Sequence, residues 1–203
     1  LFRKKEPSDY AIYFLVIGII VLLSSTFVPF LVITIGQDIF YRPEDSFWLF
    51  QAPITSYIIV GVAVAIIGAI FCITAYILSK MESRKENWKT WGMMSITIPS
   101  LIAIGMAVNQ YYYFNDQGIH QSSLTGTNEE LYAWSDMQGV SFISEVTGYV
   151  KKLSYMEVKL KNGKTIEYPF NDELRMYRGR IQTALEQVGV EVQHVEKQVE
   201  EDN

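Results

Sequence analysis

The residues able to do chemistry in this chain are few and scattered. The two histidines, His120 and His194, lie far apart, and neither has a metal-ligand partner at helical or hairpin spacing. The single cysteine, Cys72, sits inside an apolar run, which excludes an internal disulfide and a cysteine-built metal cluster. No glycine-rich phosphate loop, Gly-x-Ser-x-Gly elbow or His-Glu-x-x-His motif occurs. Serines are plentiful, but no base is tied to any of them, and Ser135–Asp136 has the character of a turn start. The sequence therefore predicts no catalytic residues, no metal site and no cofactor. One cluster suggests binding: Arg175, Arg178 and Arg180. Guanidinium groups near one another hold a phosphate, a carboxylate or an anionic headgroup. Lys151 and Lys152 join that patch only where the fold brings them near. The competing reading is a solvated helix face paired with Glu173 and Glu186.

The elements that must position these residues follow from how the apolar residues are distributed. They make up 49% of the chain and are segregated. Charge is absent between Tyr10 and Gln37, between Ser46 and Ser79, and between Thr90 and Asn115. A membrane-spanning helix needs about 20 apolar residues, so each run qualifies. Helices are expected near residues 11–36, 52–78 and 92–114, forming a three-helix transmembrane bundle over residues 1–114. The first run follows Arg3, Lys4 and Lys5 and reads as a retained anchor, because no small-x-small cleavage site follows it. Pro29 should kink or divide it, with Ser24, Ser25 and Thr26 available to re-satisfy freed carbonyls. Gly61, Ala65 and Ala69 recur every four residues and predict a close helix-packing face. Ala103 and Ala107 do the same in the third run. That face meets a neighbouring segment or, alternatively, forms the seam of a homo-oligomer. The connector 37–51, with Phe40, Tyr41, Phe47, Trp48 and Phe50, reads as an aromatic belt along the membrane surface, as do Tyr111, Tyr112 and Tyr113. Asn109 and Gln110 should bond to a neighbouring helix or to headgroup water.

After residue 114 the period changes from helical to alternating. Residues 118–124, 131–134 and 140–146 read as strands. In 153–160, Met156, Val158 and Leu160 share a face, and Ile166, Tyr168 and Phe170 mirror them in 164–170. Asn162–Gly163 between these two runs should supply the positive φ angles of a tight hairpin turn. Asn171 is the expected N-cap of a helix, with Asp172 and Glu173 in its first turn. Leu174, Tyr177, Ile181, Leu185 and Val188 fall on one helical face, and Gly189 should close it. Val190, Val192 and Val195 continue as a short extended piece. Glu196, Glu200, Glu201 and Asp202 read as a solvated helix end or a frayed tail. The expected second domain is thus a small α+β unit over 115–203, an antiparallel sheet with a C-terminal helix.

Four features over about residues 118–192 carry a resemblance. They are Gly118–Ile119 opening a strand after the membrane, Tyr132-x-Trp134-Ser135-Asp136 leading into Val140, the Lys161-Asn162-Gly163-Lys164 hairpin, and the closing helix. Together they resemble the small bacterial pleckstrin-homology-like (PH-like) domains fused to membrane helices. The resemblance covers under half of the chain and departs in strand count, about five against the seven of that barrel. It implies a binding or assembly module and no reaction.

The net charge of −5, without a basic stripe interleaved with aromatics, argues against nucleic acid as a partner. The expected partners are membrane lipid and another membrane or envelope protein. The leading expectation is a non-enzymatic integral membrane protein whose module binds a protein or regulates a membrane complex. The rival is a transporter or channel subunit, and the uncharged spans weigh against it. Arg3, Lys4, Lys5, Lys80, Arg84, Lys85 and Lys89 flank the first and third boundaries, against Arg42 alone in the first connector. That bias predicts a cytoplasmic N-terminus and an extracytoplasmic C-terminal domain in the plasma membrane.

Overall fold

The computed structural model describes residues 7–43, 46–81, 87–126, 128–147 and 150–198. Two compact units emerge, and they interleave along the chain. The first comprises Leu1–Arg42, Ala52–Tyr111 and Ser122–Thr127. The second comprises Pro43–Gln51, Tyr112–Gln121 and Asn128–Asn203.

The first unit is helical: α1 (Pro7–Ser24), α2 (Val28–Phe40), α3 (Ile54–Lys80), α4 (Asn87–Ser95) and α5 (Thr97–Val108). Two stretches, Ile54–Lys80 and Thr90–Val108, are each long and apolar enough to cross a membrane, with mean hydropathies of 2.8 and 1.6. The α1–α2 pair passes the same test only when taken together, and the two helices are bent 74° apart. Large apolar side chains such as Leu23, Phe30, Ile58 and Leu101 are exposed on these helices. Water penalises such a surface and lipid hydrocarbon does not.

The break between α1 and α2 has a local cause. Pro29 stands in the first turn of α2, where its missing N–H would have no intrahelical partner in any case. Ser24 Oγ donates to the Ile20 carbonyl and Ser25 Oγ to that of Leu22, both at 2.7 Å. These hydroxyls bond to carbonyls of α1 itself, and not to the Ser25 carbonyl four residues before Pro29 that the sequence suggests they would re-satisfy. Pro99 likewise falls in the first turn of α5, just after Ile96, whose backbone stays helical (φ −66°, ψ −16°) between α4 and α5.

Helices α1 and α3 approach most closely at two glycines. A Cβ on Gly68 would lie 2.8 Å from Leu22 N and 3.0 Å from Gly18 O, and one on Gly18 would lie 2.9 Å from Cys72 N. Phe14 and Phe71 stack at 5.6 Å beside this seam. Of the expected small face, a Cβ on Gly61 would lie 3.3 Å from Ser25 O and 3.5 Å from the Pro29 ring, while Ala65 and Ala69 are half-buried. On α3 the tightest contact falls at Gly68, seven residues after Gly61 and one before Ala69, off the four-residue spacing. Ala107 is fully buried beside Ile33, Val60 and Val64, and Ala103 is half-buried.

The end of α5 is closed by polar side chains. Gln37 Nε2 donates to the carbonyls of Val108 (3.2 Å) and Gln110 (2.9 Å). The buried Ser56 hydroxyl donates to Gln110 Oε1 at 3.0 Å. The last carbonyls of a helix have no partner within it, so α2 and α3 supply what the turn lacks. Gln110 thus bonds to neighbouring helices, one of its two expected environments.

Among the described residues, the second unit contains eight strands and one α-helix. The strands are β1 (Leu49–Gln51), β2 (Tyr112–Phe114), β3 (Gly118–Ser122), β4 (Glu129–Ala133), β5 (Met137–Thr147), β6 (Val150–Leu160), β7 (Thr165–Pro169) and β8 (Glu191–Gln198). The helix, α6 (Asp172–Gln187), lies between β7 and β8. One sheet runs β1-β2-β3-β4 and the other β7-β6-β5-β8. A one-turn 3-10 helix, Trp134–Asp136, carries the chain from the first sheet into the second.

Two strands lie where the sequence suggested something else. The first connector does not serve only as a surface belt: Leu49–Gln51 pairs antiparallel with Tyr112–Phe114, and Trp48 and Leu49 are buried. The third helix does not reach residue 114. It ends at Val108, and Tyr111, Tyr112 and Tyr113 are buried instead of lining an interface. Aromatic residues suit a half-buried pleated surface as well as a headgroup layer. Here Tyr112 and Phe114 pack on Tyr168, at 5.0 and 5.5 Å.

The remaining elements form for local reasons. The Asn162–Gly163 turn is a three-residue connection: Gly163 N donates to Leu160 O and Leu160 N to Lys164 O, both at 2.9 Å. Only Gly163 has a positive φ, +85°, where the sequence suggested two such residues. A type I turn followed by one left-handed glycine accounts for it. Asn171 Oδ1 accepts from Leu174 N at 2.9 Å and starts α6. Gly189, at φ +73°, ends it, with Val190 N returning to Leu185 O at 2.9 Å. The extended piece after Gly189 is a full strand, β8, parallel to β5. It contains Glu196, while Glu200, Glu201 and Asp202 lie outside the described residues. At Gly118 the β3 and β4 backbones come so close that a Cβ would overlap the Tyr132 carbonyl. Phe114, Ile119, Phe142, Met156, Ile181 and Leu185 are fully buried in the core that α6 covers.

Gly68→Val forces β-branched bulk into the α1–α3 seam and should destabilise the helical unit by about 1–3 kcal/mol. Gly105→Ala, where a Cβ meets nothing within 4 Å, should be neutral or slightly stabilising. Thermal unfolding in detergent distinguishes them. A fragment covering only 116–203 lacks β1 and β2 and should give a poorly dispersed amide spectrum. Supplying residues 46–51 and 112–115 should restore dispersion.

Candidate functional site

The three arginines of α6 do not converge. Arg175 is exposed and pairs with Asp172 at 3.1 Å. Arg180 reaches Asp116 at 3.4 Å and lies 4.4 Å over the Trp48 ring. Arg178 lies 5.0 Å over the Phe142 ring and donates from Nη2 to His194 Nε2 at 3.1 Å. One helix thus sends three guanidinium groups to three sets of partners. Glu173 accepts from Gln51 instead of pairing with an arginine of α6. Lys152 is exposed and stands level with Glu145 in the β5–β6 register, and the Lys151 side chain lies outside the described residues.

Two motifs that sequence reading kept apart meet in the structure. A pocket of about 500 Å³ is lined by Glu130, Leu131, Tyr132, Asp136, Leu160, Lys161 and Asn162. The β4 stretch and the 3-10 turn supply one wall, and the β6–β7 turn supplies the other. Lys161 binds the turn twice: its backbone N–H donates to Asp136 O at 2.9 Å, and Nζ donates to Ser135 O at 2.6 Å. The Lys164 ammonium sits 4.8 Å from the Tyr132 ring centroid and bonds to the Tyr132 hydroxyl, which donates to Glu130. Lys164 Nζ is also 3.4 Å from Glu130 Oε2.

These contacts shift the titration of all three groups. The Tyr132 hydroxyl, and then Lys164, hold the Glu130 carboxyl below its ordinary value. The Tyr132 hydrogen bond raises the Lys164 ammonium, and burial followed by Glu130 raises the Tyr132 phenol. The pocket presents donors, acceptors and the apolar surface of Leu131 side by side.

His120 forms a second polar cluster, across β2, β3 and β4. Its Nδ1 lies 2.6 Å from Glu129 Oε1, and its Nε2 lies 3.1 Å from Asn115 Nδ2. Asn115 Oδ1 already accepts the backbone N–H groups of Gln117 (2.9 Å) and Gly118 (3.1 Å), so the amide must offer its NH₂ group. Nε2 is therefore the acceptor, and Nδ1–H donates to the carboxylate. Tyr113 stacks on the imidazole at 4.3 Å, and its hydroxyl donates to Glu129 at 2.9 Å. The nitrogen that would act as a base is filled by an amide, so this geometry ties strands together. Among the described residues, no three His, Cys, Asp or Glu side chains are placed to hold a metal ion.

The sequence held a signal for the pocket in the Tyr132 and Lys161–Asn162 motifs, but their approach depends on the chain leaving one sheet for the other. The sign of the pH dependence is fixed by the lowered Glu130 value. Its contribution is present above the ordinary carboxylate value of 4.5 and is lost as pH falls through the lower folded value. In Tyr132→Phe the Glu130 titration, followed by carboxyl carbon resonances, should move up toward that ordinary value. An unmoved titration would contradict the assigned cause.

No family model, curated protein or solved structure matches this chain.

Proposed function

We propose that the chain is a non-enzymatic integral membrane protein whose β-rich unit is a PH-like module. The module binds a protein partner or assembles a larger membrane complex. The observation that carries this reading is the order of elements in the second unit. Four strands form one sheet, three successive antiparallel strands lead the next, and a helix follows directly. Strands β1 and β2, which come from outside residues 118–192, bring that element order to seven strands before the helix. Strand β8 is an addition to the pattern. Polar side chains at the Glu130–Lys161 pocket give such a module a recognition surface. We read the helical unit as a compact bundle with three crossings, in which the bent α1–α2 pair makes one span.

The orientation belongs to the same proposal. Short loops rich in Lys and Arg stay cytoplasmic, which sets the N-terminus and the 80–89 connector inside and the β-rich unit outside. The β1–β2 pairing supports part of this. A connector strand and a tail strand in one sheet lie on one face of the membrane, as two intervening crossings require.

The test is capture from gently solubilised membranes with the full chain as bait. A stoichiometric partner should co-purify and should be lost in Glu130→Lys/Lys161→Glu, with the level of membrane-inserted chain unchanged. Recovery of lipid alone in both forms would refute the assembly reading. An impermeant maleimide should label Asn162→Cys in intact cells, or in spheroplasts where an outer membrane exists, with Cys72→Ala as background. Protection until the membrane is broken would reverse the orientation.

A further inference from the structure

We infer that Arg178 forms an oxyanion-binding site with Ser144 and His194, for a carboxylate or phosphate group. Arg178 is half-buried, and its Nε–H is buried with no hydrogen-bond acceptor. Its only directed hydrogen bond among the described residues goes to an imidazole nitrogen, and no carboxylate there pairs with it. A guanidinium cannot be deprotonated, so the charge persists in this half-dry position. A charge withdrawn from water without a counter-charge is unfavourable, and a bound anion relieves it. Phe142 supports both cationic-site partners from below. The guanidinium lies 5.0 Å over its ring, and the His194 ring stacks at 5.6 Å.

A pocket of about 320 Å³ opens beside this pair, lined by Ser144, Leu153, Arg178 and His194. Ser144 is buried and adds a hydroxyl donor. Because Arg178 donates to His194 Nε2, the ring proton stands on Nδ1. The surrounding titratable groups are few. On β8, Glu196 stands level with Ser144 in the β5 register and has an interaction of its own. On β5, Glu145 accepts from Ser154. Glu196 is therefore the nearby negative charge that limits anion affinity. The site lies on α6, β5 and β8 and shares no lining residue with the Glu130–Lys161 pocket. It does not depend on the identity of an assembly partner.

The experiment titrates inorganic phosphate, and separately acetate, into the full chain in detergent micelles at constant ionic strength set with chloride. Arginine Nε–Hε and backbone amide resonances are followed. The expected result is a saturable shift of Arg178 Nε–Hε and the Ser144 amide. Affinity should fall about tenfold or more in Arg178→Gln, as expected for losing a hydrogen bond to a charged group. It should stay within about twofold in Arg175→Gln, since an exposed charge is well screened, and rise in Glu196→Gln. Tighter binding of phosphate than acetate identifies a phosphate site, and the reverse identifies a carboxylate site. Should Arg178→Gln fail to fold, Ser144→Ala serves in its place and should also weaken binding. The inference is overturned by a linear shift equal to that of chloride, or by saturable binding that survives both substitutions.

Discussion

The second unit depends on one short strand pairing. Leu49–Gln51 lies opposite Tyr112–Phe114, although the whole of α3, α4 and α5 separates them in sequence. Closing so long a loop is entropically unfavourable, but that penalty grows only slowly with length. What offsets it is apolar burial. Trp48 and Leu49 are nearly fully buried, and each such side chain contributes roughly 1.5–3 kcal/mol. Trp48 stacks on Trp134 at 5.9 Å, at the turn where the chain passes between sheets. Without β1, strand β2 would present an open edge, and the Trp134 turn would lose its cover.

Local patterns were legible in the sequence, and long-range ones were not. The β6–β7 hairpin, the Asn171 cap and the Gly189 stop were readable because alternation and turn chemistry act over a few residues. Strand β1 is three residues long inside an aromatic connector, and aromatic rings fit a headgroup layer and a core equally. Strand β2 was hidden within an apolar run long enough to span. Its signal was Asn109–Gln110 ending the helical stretch, with Tyr112 and Phe114 alternating after it. In the helical unit, Gly61 was found but Gly18 was not, because a seam needs a small residue on both helices and its partner cannot be read from one period.

The candidate sites show the same division. Arg175, Arg178 and Arg180 were visible as residues, yet their proximity in sequence did not become convergence in space. Helical geometry turns successive side chains to different faces, and each guanidinium took the partner its face offered. Arg178 was left with an imidazole from β8, the next strand along the chain, and an aromatic ring from β5, remote in sequence. The Glu130–Tyr132–Lys164 cluster needed the second sheet to fold back beside the first, which no local spacing reports.

The most direct measurement of the β1–β2 constraint is disulfide trapping in native membranes. Phe50 and Tyr113 are register partners, so cysteines placed there, with Cys72→Ala, should oxidise rapidly within one chain. Cysteines at Phe50 and Phe114 are offset by one residue and point to opposite faces, so they should not oxidise. Rapid bonding of the first pair alone is the predicted result. Failure of the first pair, or equal bonding of both, would contradict a connector strand built into the β-rich unit.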